Sequence, residues 1–209
     1  PLSGICRNGI IDTRNFVDGL TEYLLKDPNS YTLPRKFKIA FSGCQRDCSR
    51  ATVNDLGFIA KIKDNTLGFS VWAGGGMGAN SAVGKLLEEF VGEEEVGYVA
   101  EAVKRVFFRY GDKKDRHHSR LRFLVGKIGF DKFKELYKEE FAKLKDSEYI
   151  ALKKKEPEKL LPKQDILEVP EGSEGFELFK KYNLKKEMTP GYYTIEIRVP
   201  LGDISSEKM

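Results

Sequence analysis

Apolar and polar positions change period several times along this chain, and each change marks an element. Phe16, Val17, Leu20, Tyr23 and Leu24 recur at helical spacing. A helix therefore follows Thr13, which can cap it, and Asp27-Pro28-Asn29-Ser30 ends it. Residues 37–42 alternate, with Phe37, Ile39 and Phe41 on one side, as a strand requires. Strands are predicted again over 56–62 and 67–73, joined by an Asp64-Asn65 hairpin turn. A glycine run, Gly74-Gly75-Gly76-Met77-Gly78, follows. Val83, Leu86, Leu87, Phe90 and Val91 then recur as on a helix starting near Asn80. Further helices are predicted over 95–110, stopped at Gly111, over 115–128 and over 131–145. Strands come before helices without strict alternation, which predicts an α+β fold: a mixed sheet with flanking helices.

The pattern dissolves after about residue 148. Residues 152–164 are rich in Lys, Glu and Pro and read as a linker. A short helical element at Phe176, Phe179 and Tyr182 and an alternating strand over 192–199 come next. One helix and one strand cannot bury a core of their own, so this tail needs a partner surface. The division read from sequence is a domain over 1–148, a charged linker over 149–170 and an incomplete second piece over 171–209.

Composition narrows the function. The 209 residues hold 36 Lys and Arg against 32 Asp and Glu, a net charge of +4. The two signs are interspersed, which describes a solvated surface, and no basic stripe with interleaved aromatics argues for nucleic acid. No apolar run approaches the roughly 20 residues of a membrane helix. Three cysteines without a visible signal segment argue against a disulfide framework and for a reducing, cytoplasmic setting. The chain opens on Pro1 rather than Met, so parts of its site are expected to lie outside it.

Four stretches could carry chemistry. In Leu33-Pro34-Arg35-Lys36-Phe37-Lys38 a strand would set Lys36 and Lys38 on one face, two ammonium groups suited to an anion between them. The bland alternative is a solvated strand face. Cys44 and Cys48, four apart in a loop, can reach one metal or cluster, with Cys6 as a third ligand; two ordinary loop residues are the alternative. The glycine run, leading into the predicted helix, would make an anion cradle, or only a tight turn. It matches a dinucleotide fingerprint loosely (Gly74, Gly76, Ala79), without the strand and acid that should follow. Arg116 and Arg120 would face together on a helix and grip carboxylates, with Arg122 nearby; His117 and His118 would diverge. A solvated helix face is the competing reading.

Taken in order, LPRKFKIAFSGC at 33–44, ND-x-GF-x-A at 54–60, GF-x-VWAGGGMG at 68–78, YGDKKDRHHSRLRFLV at 110–125 and GF-x-x-FK at 129–134 resemble one family. It is the sulfite and nitrite reductases that use sirohaem coupled to a 4Fe–4S cluster. The opening PLSGICRNGIIDTR is similar to the start of the first of their two homologous half-domains. The ending GYYTIEIRVPLGDIS is similar to the start of the next, ferredoxin-like half-domain.

The resemblance implies part of an assimilatory-type enzyme that takes sulfite to sulfide or nitrite to ammonia. Ferredoxin or a flavoprotein would supply electrons, and the remaining half of the same enzyme would complete the site. Lys36 and Lys38 fall on the family's substrate lysines and Arg35 on a sirohaem contact. Arg116, Arg120 and Arg122 would also meet the eight carboxylates of sirohaem. The family's cluster is held by a C-x5-C and a downstream C-x3-C in its second half, so Cys6, Cys44 and Cys48 stand in the pseudo-equivalent place. They are relics of the duplication, ligands of an additional cluster, or ligands of the catalytic one. Beside the reductase stand two other classes: an iron–sulfur electron-transfer module, and a structural half-domain with no cofactor of its own. The chain alone is expected to be inactive.

Overall fold

A computed structural model describes residues 3–78, 80–153, 172, 174–187 and 191–205. These fall into two compact units. One holds Ser3 and residues 8–153, and the other holds Gly4–Arg7 with the described residues beyond 171.

The first unit is built on a four-stranded mixed sheet in the order β1 (Ile39–Ser42), β2 (Leu56–Lys63), β3 (Thr66–Ala73), β4 (Lys85–Gly92). β1 runs parallel to β2, with Ile39 opposite Leu56. The β2–β3 hairpin is antiparallel and in register throughout, and its turn places Asp64 and Asn65 at positive φ (48° and 59°), the conformation the sequence called for. Four helices accompany the sheet: α1 (Arg14–Leu25), α2 (Val96–Tyr110), α3 (Leu121–Ile128) and α4 (Phe130–Ser147). The α+β mixed sheet with flanking helices is therefore the observed architecture.

One sheet face and the helices share a single core. Phe41 stacks on Phe58 at 4.7 Å, and Phe16 of α1 meets Phe69 edge-on at 5.1 Å. Offset and edge-on contacts of this kind suit the ring quadrupole better than a direct sandwich. α2 lies deepest, with Val99, Val103, Val106 and Phe107 fully buried. α4 adds Phe133, Tyr137 and Leu144 to the same cluster.

Two readings of the sequence are corrected. Residues 85–92 are a strand, not a helix. The register of β4 against β3 shifts twice, between Phe69 and Val71 and between Val71 and Trp72. Extra residues in β4 break the two-residue alternation, leaving Glu89 exposed between the buried Leu87 and Val91, so no simple strand pattern shows in the sequence. The second correction concerns residues 112–120, which are irregular, so that α3 begins only at Leu121. Asp112 Oδ1 accepts the N–H groups of Lys114 (2.7 Å) and Asp115 (3.2 Å), and Asp115 Oδ1 accepts that of His117 (2.9 Å). Side chains that take up backbone donors in this way favour a looped path over a helix. Thr13 does precede α1, but its hydroxyl bonds to Ser3 Oγ (2.8 Å) and makes no cap.

In the second unit α5 (Glu174–Asn183) leads into a hairpin of β5 (Leu184–Lys186) and β6 (Tyr193–Ile195), with Leu184 opposite Ile195. None of its described residues is buried. The charged stretch read as a linker lies almost wholly outside the described residues.

Glu140 joins α4 to α2. It is buried and receives Arg109 Nη1 at 2.7 Å and Lys143 Nζ at 3.3 Å. Burial pushes its carboxyl up, but Arg109 and Lys143 together hold it below the usual range. A depressed carboxylate stabilises the fold above its unfolded pKa of about 4.3, and that contribution is lost as pH falls through the folded value. Glu140→Gln is expected to cost about 1–2 kcal/mol at neutral pH. The difference from the parent, read by urea denaturation, should shrink as the pH is lowered below the carboxyl's unfolded value and through its depressed folded one.

Candidate functional site

Asp55 stands at the head of β2 and is fully buried. Its Oδ2 accepts the backbone N–H of Lys38 at 2.8 Å and Arg120 Nη2 at 2.6 Å, and its Oδ1 accepts Arg120 Nε at 3.1 Å. The Arg120 fork thus meets the carboxylate with two parallel bonds, the strongest geometry open to the pair. The main chain of the same residue accepts from Gly74 N–H at 2.9 Å, and Leu56 N–H donates to Lys38 O at 3.1 Å. One residue therefore ties together the Leu33–Lys38 segment, the 112–120 loop and the glycine run.

Around this tie the cations gather. A cavity of about 570 Å³ is walled by Ser30–Phe37 together with Lys113 and Arg116. Its charged lining residues are Arg35, Lys36, Lys113 and Arg116, and none of its described lining residues is acidic. Four like charges around one hollow repel one another unless an anion enters. Arg35, Lys36 and Arg116 were expected from the sequence, and the structure brings them together. Lys113 was missed, because it sits in a mixed-charge run that reads as surface; its Nζ lies 3.8 Å from the centroid of the Phe108 ring. The close approach of Pro34 to the end of α2 requires Gly111, where an added Cβ would fall 2.6 Å from Pro34 Cγ.

Three expectations change here. Lys36 and Lys38 do not share a strand face, since β1 starts only at Ile39. Lys38 lines a neighbouring cavity of about 480 Å³, between α1 and residues 37–41, which also reaches Asn54 and Lys104. Arg116 and Arg120 do not stand one helical turn apart on a common face. Arg116 is exposed at the cavity, and Arg120 is turned inward with its fork filled by Asp55. Finally, the glycine run opens into a bridge and a strand (Gly76 and Ala82 exchange both backbone bonds at 2.9 Å), so no helix N-terminus adds to it.

What the glycine run does instead is admit Arg122. A Cβ at Gly76 would sit 2.4 Å from Arg122 Nη1. The Nε and Nη1 atoms of Arg122 are buried and have no hydrogen-bond partner among the described residues, and Trp72 Nε1 is in the same condition. Buried donors left unpaired are rare and costly, and they call for an acceptor. Arg122 itself lies with Cζ 4.6 Å from the centroid of Phe123.

Cys44 is buried and Cys48 exposed, both in a loop organised by Asp47. The Asp47 carboxylate accepts Ala51 N–H at 2.6 Å, Thr52 N–H at 3.2 Å and the Thr52 hydroxyl at 2.8 Å. Asp47 and Arg50 both adopt positive φ (46° and 54°), so the loop between the thiols and β2 is tightly wound. Cys6 is half-buried and belongs to the other compact unit. Among the described residues no three His, Cys, Asp or Glu side chains are grouped to hold a metal. The Cys44–Cys48 loop holds two free thiols, against the four thiolates that a cluster takes.

The comparisons decide the family. The model described as the nitrite and sulphite reductase 4Fe-4S domain matches residues 1–145. The chain belongs to that family. The sulfite reductase (ferredoxin) 1 of Mycolicibacterium paratuberculosis is 34% identical over 142 residues, covering 68% of this chain and 25% of the relative. The ferredoxin–nitrite reductase of Leptolyngbya laminosa is 35% identical over 139 residues, covering 64% and 27%. This member of the family thus spans about a quarter of the length of those relatives. Among solved structures, Mycobacterium tuberculosis NirA superposes with a TM-score of 0.58 at 30% identity, over 77% of this chain and 29% of that one. Dissimilatory sulfite reductase I gives 0.54 at 16% identity, over 86% and 59%, and shares the fold. No helix among the described residues is long and apolar enough to cross a membrane.

Removing one partner of a buried ion pair leaves an uncompensated charge, at about 3–5 kcal/mol. Asp55→Ala is expected to cost that much by urea denaturation. Arg120→Met should cost less, since part of the Asp55 carboxylate remains bonded to the Lys38 N–H.

Proposed function

We propose that this chain forms part of a sulfite or nitrite reductase and supplies the cationic wall that receives the oxyanion. The carrying observation is the set of four cations, Arg35, Lys36, Lys113 and Arg116, around one cavity with no acid among its described lining residues. Sirohaem and a 4Fe–4S cluster, when bound, supply the electrons, and the protein supplies charge, orientation and protons.

The residues present fit such a polyanionic cofactor. Arg122 offers two buried donors without acceptors beneath the glycine run. Those donors suit a carboxylate, and Arg35 and Arg116 at the cavity are exposed forks of the same chemistry. Lys36 holds the anion by its ammonium group and stabilises negative charge as the bond to oxygen weakens. Lys38, opening on the adjacent cavity, is placed to hand on protons from that side. Cys44 and Cys48 would give two thiolates to a cluster. Arg120 contributes by holding Asp55, not by meeting the cofactor.

In this reading residues 1–148 are the sirohaem-binding half-domain, 149–170 a linker, and 171–209 the start of the ferredoxin-like piece. Ferredoxin or a flavoprotein delivers electrons to the intact enzyme, whose remaining half closes the site. The isolated chain therefore has no turnover of its own.

Each charge-assisted hydrogen bond to a bound anion contributes about 1.5–3 kcal/mol, roughly a ten- to hundredfold change in affinity. Lys36→Met and Lys113→Met are each expected to weaken sulfite binding, measured by calorimetry, by a factor in that range. Affinity unchanged in both variants would remove the cavity as the anion site. Iron and labile sulfide without sirohaem absorption in anaerobically purified protein would favour the electron-transfer module instead.

A further inference from the structure

α2 carries an unusual residue on its buried face. Lys104 is 1% exposed, between Val103 and Val106 in the core. Its Nζ lies 2.5 Å from Asp27 Oδ2 and 2.8 Å from Glu101 Oε2. Glu101 is shared with Arg105, whose Nε reaches its other oxygen at 2.8 Å and whose Nη2 reaches Glu148 at 2.9 Å.

A buried pair of this kind is weak evidence for stability. Taking the lysine out of water costs about as much as the pair returns, and apolar residues in place of all the partners often serve a core as well. The question is what the charge does that a methionine would not. The answer lies in the second oxygen of Asp27. Its Oδ1 accepts Asn29 N–H at 3.0 Å and so caps the 3₁₀ turn over Pro28–Thr32. Ser30, Tyr31 and Thr32 of that turn form one wall of the cationic cavity. The turn is also tied to α1, by Ser30 Oγ to Leu24 O at 2.6 Å and Tyr31 Oη to Leu25 O at 3.0 Å. Asp27 is its only described carboxylate link to α2, through Lys104.

We infer that Lys104 is a positioning residue for the anion cavity. Through Asp27 it fixes the entry to the Asp27–Lys38 segment, as Asp55 fixes the exit at Lys38. It has a second, electrostatic effect. An unpaired Asp27 carboxylate, three residues before the cavity wall begins at Ser30, would repel an approaching oxyanion, and Lys104 neutralises it. The inference rests on the cavity reading given above.

The test uses the full chain and sulfite as the probe, with affinity and urea midpoint measured for Lys36→Met, Lys104→Met, Lys104→Arg and Asp27→Asn. Asparagine keeps an oxygen for the Asn29 cap and loses the charge that holds Lys104. Lys104→Met and Asp27→Asn are expected to weaken sulfite binding by the folded protein three- to tenfold, and Lys104→Arg to restore most of the affinity. Lys104→Met also lowers the midpoint, because it strips Glu101 and Asp27 of their cation, whereas Asp27→Asn leaves Lys104 paired with Glu101 and shifts it little. A purely structural role would move the midpoint and leave the affinity of the folded protein alone. Should Lys104→Met fail to fold, the affinity of Asp27→Asn decides between the two roles by itself. Parent affinity in Lys104→Met and Asp27→Asn, with loss in Lys36→Met, overturns the positioning role and leaves the cavity intact. Parent affinity in Lys36→Met as well overturns the cavity and this inference with it.

Discussion

The Asp55–Arg120 ion pair is the constraint on which the rest of the site depends. A fully buried carboxylate at the head of a central strand is unfavourable unless every lone pair is used. Here its side chain satisfies the Arg120 fork and the Lys38 N–H, and its carbonyl satisfies Gly74. Three segments far apart in sequence therefore meet at fixed positions. Hydrophobic burial alone would hold the sheet and helices together, but it is not directional and would leave the polar loops free to choose their register.

The consequence is a division of labour among the cations. Arg120 is spent inward as a strut. Arg35, Lys36, Lys113 and Arg116 are left outward around one cavity, and Arg122 lies beneath glycines with two donors waiting. The helices serve the same end. α2 delivers Lys113 by stopping at Gly111 and grips Asp27 through Lys104, while α4 holds α2 in place through Glu140. Under the proposed function, a small oxyanion beside a polycarboxylate cofactor would need positive charge at fixed places, and a well-packed α+β scaffold provides it.

Much of this was legible from residue order. The β2–β3 hairpin was announced by clean alternation around Asp64-Asn65, and α1, α2 and α4 by their apolar stripes. LPRKFK pointed to a segment that lines the cationic cavity. β4 was misread because its bulges break the strand alternation, leaving Glu89 exposed between Leu87 and Val91. The 112–120 loop was misread because Arg116 and Arg120 have helical spacing, while Asp112 and Asp115, whose side chains bind the backbone there, look like ordinary surface acids. Asp55 stood inside the ND-x-GF-x-A motif without a role assigned to it, and Lys104 was not singled out. A charged residue in sequence does not reveal that it is buried or which distant group it pairs with. The sharp left-handed turns at Asp47 and Arg50, which order the thiol loop, left no signal of comparable strength.

The central claim is that one anion cavity is assembled from two separate segments by Asp55. The most direct measurement is a sulfite titration of the isotopically labelled chain followed by backbone amide shifts. The account predicts that amides of 35–37 and 112–116 move together with a single dissociation constant, and that both sets lose their response in Asp55→Asn. Separate constants for the two segments, or a response in either that survives Asp55→Asn, would contradict it.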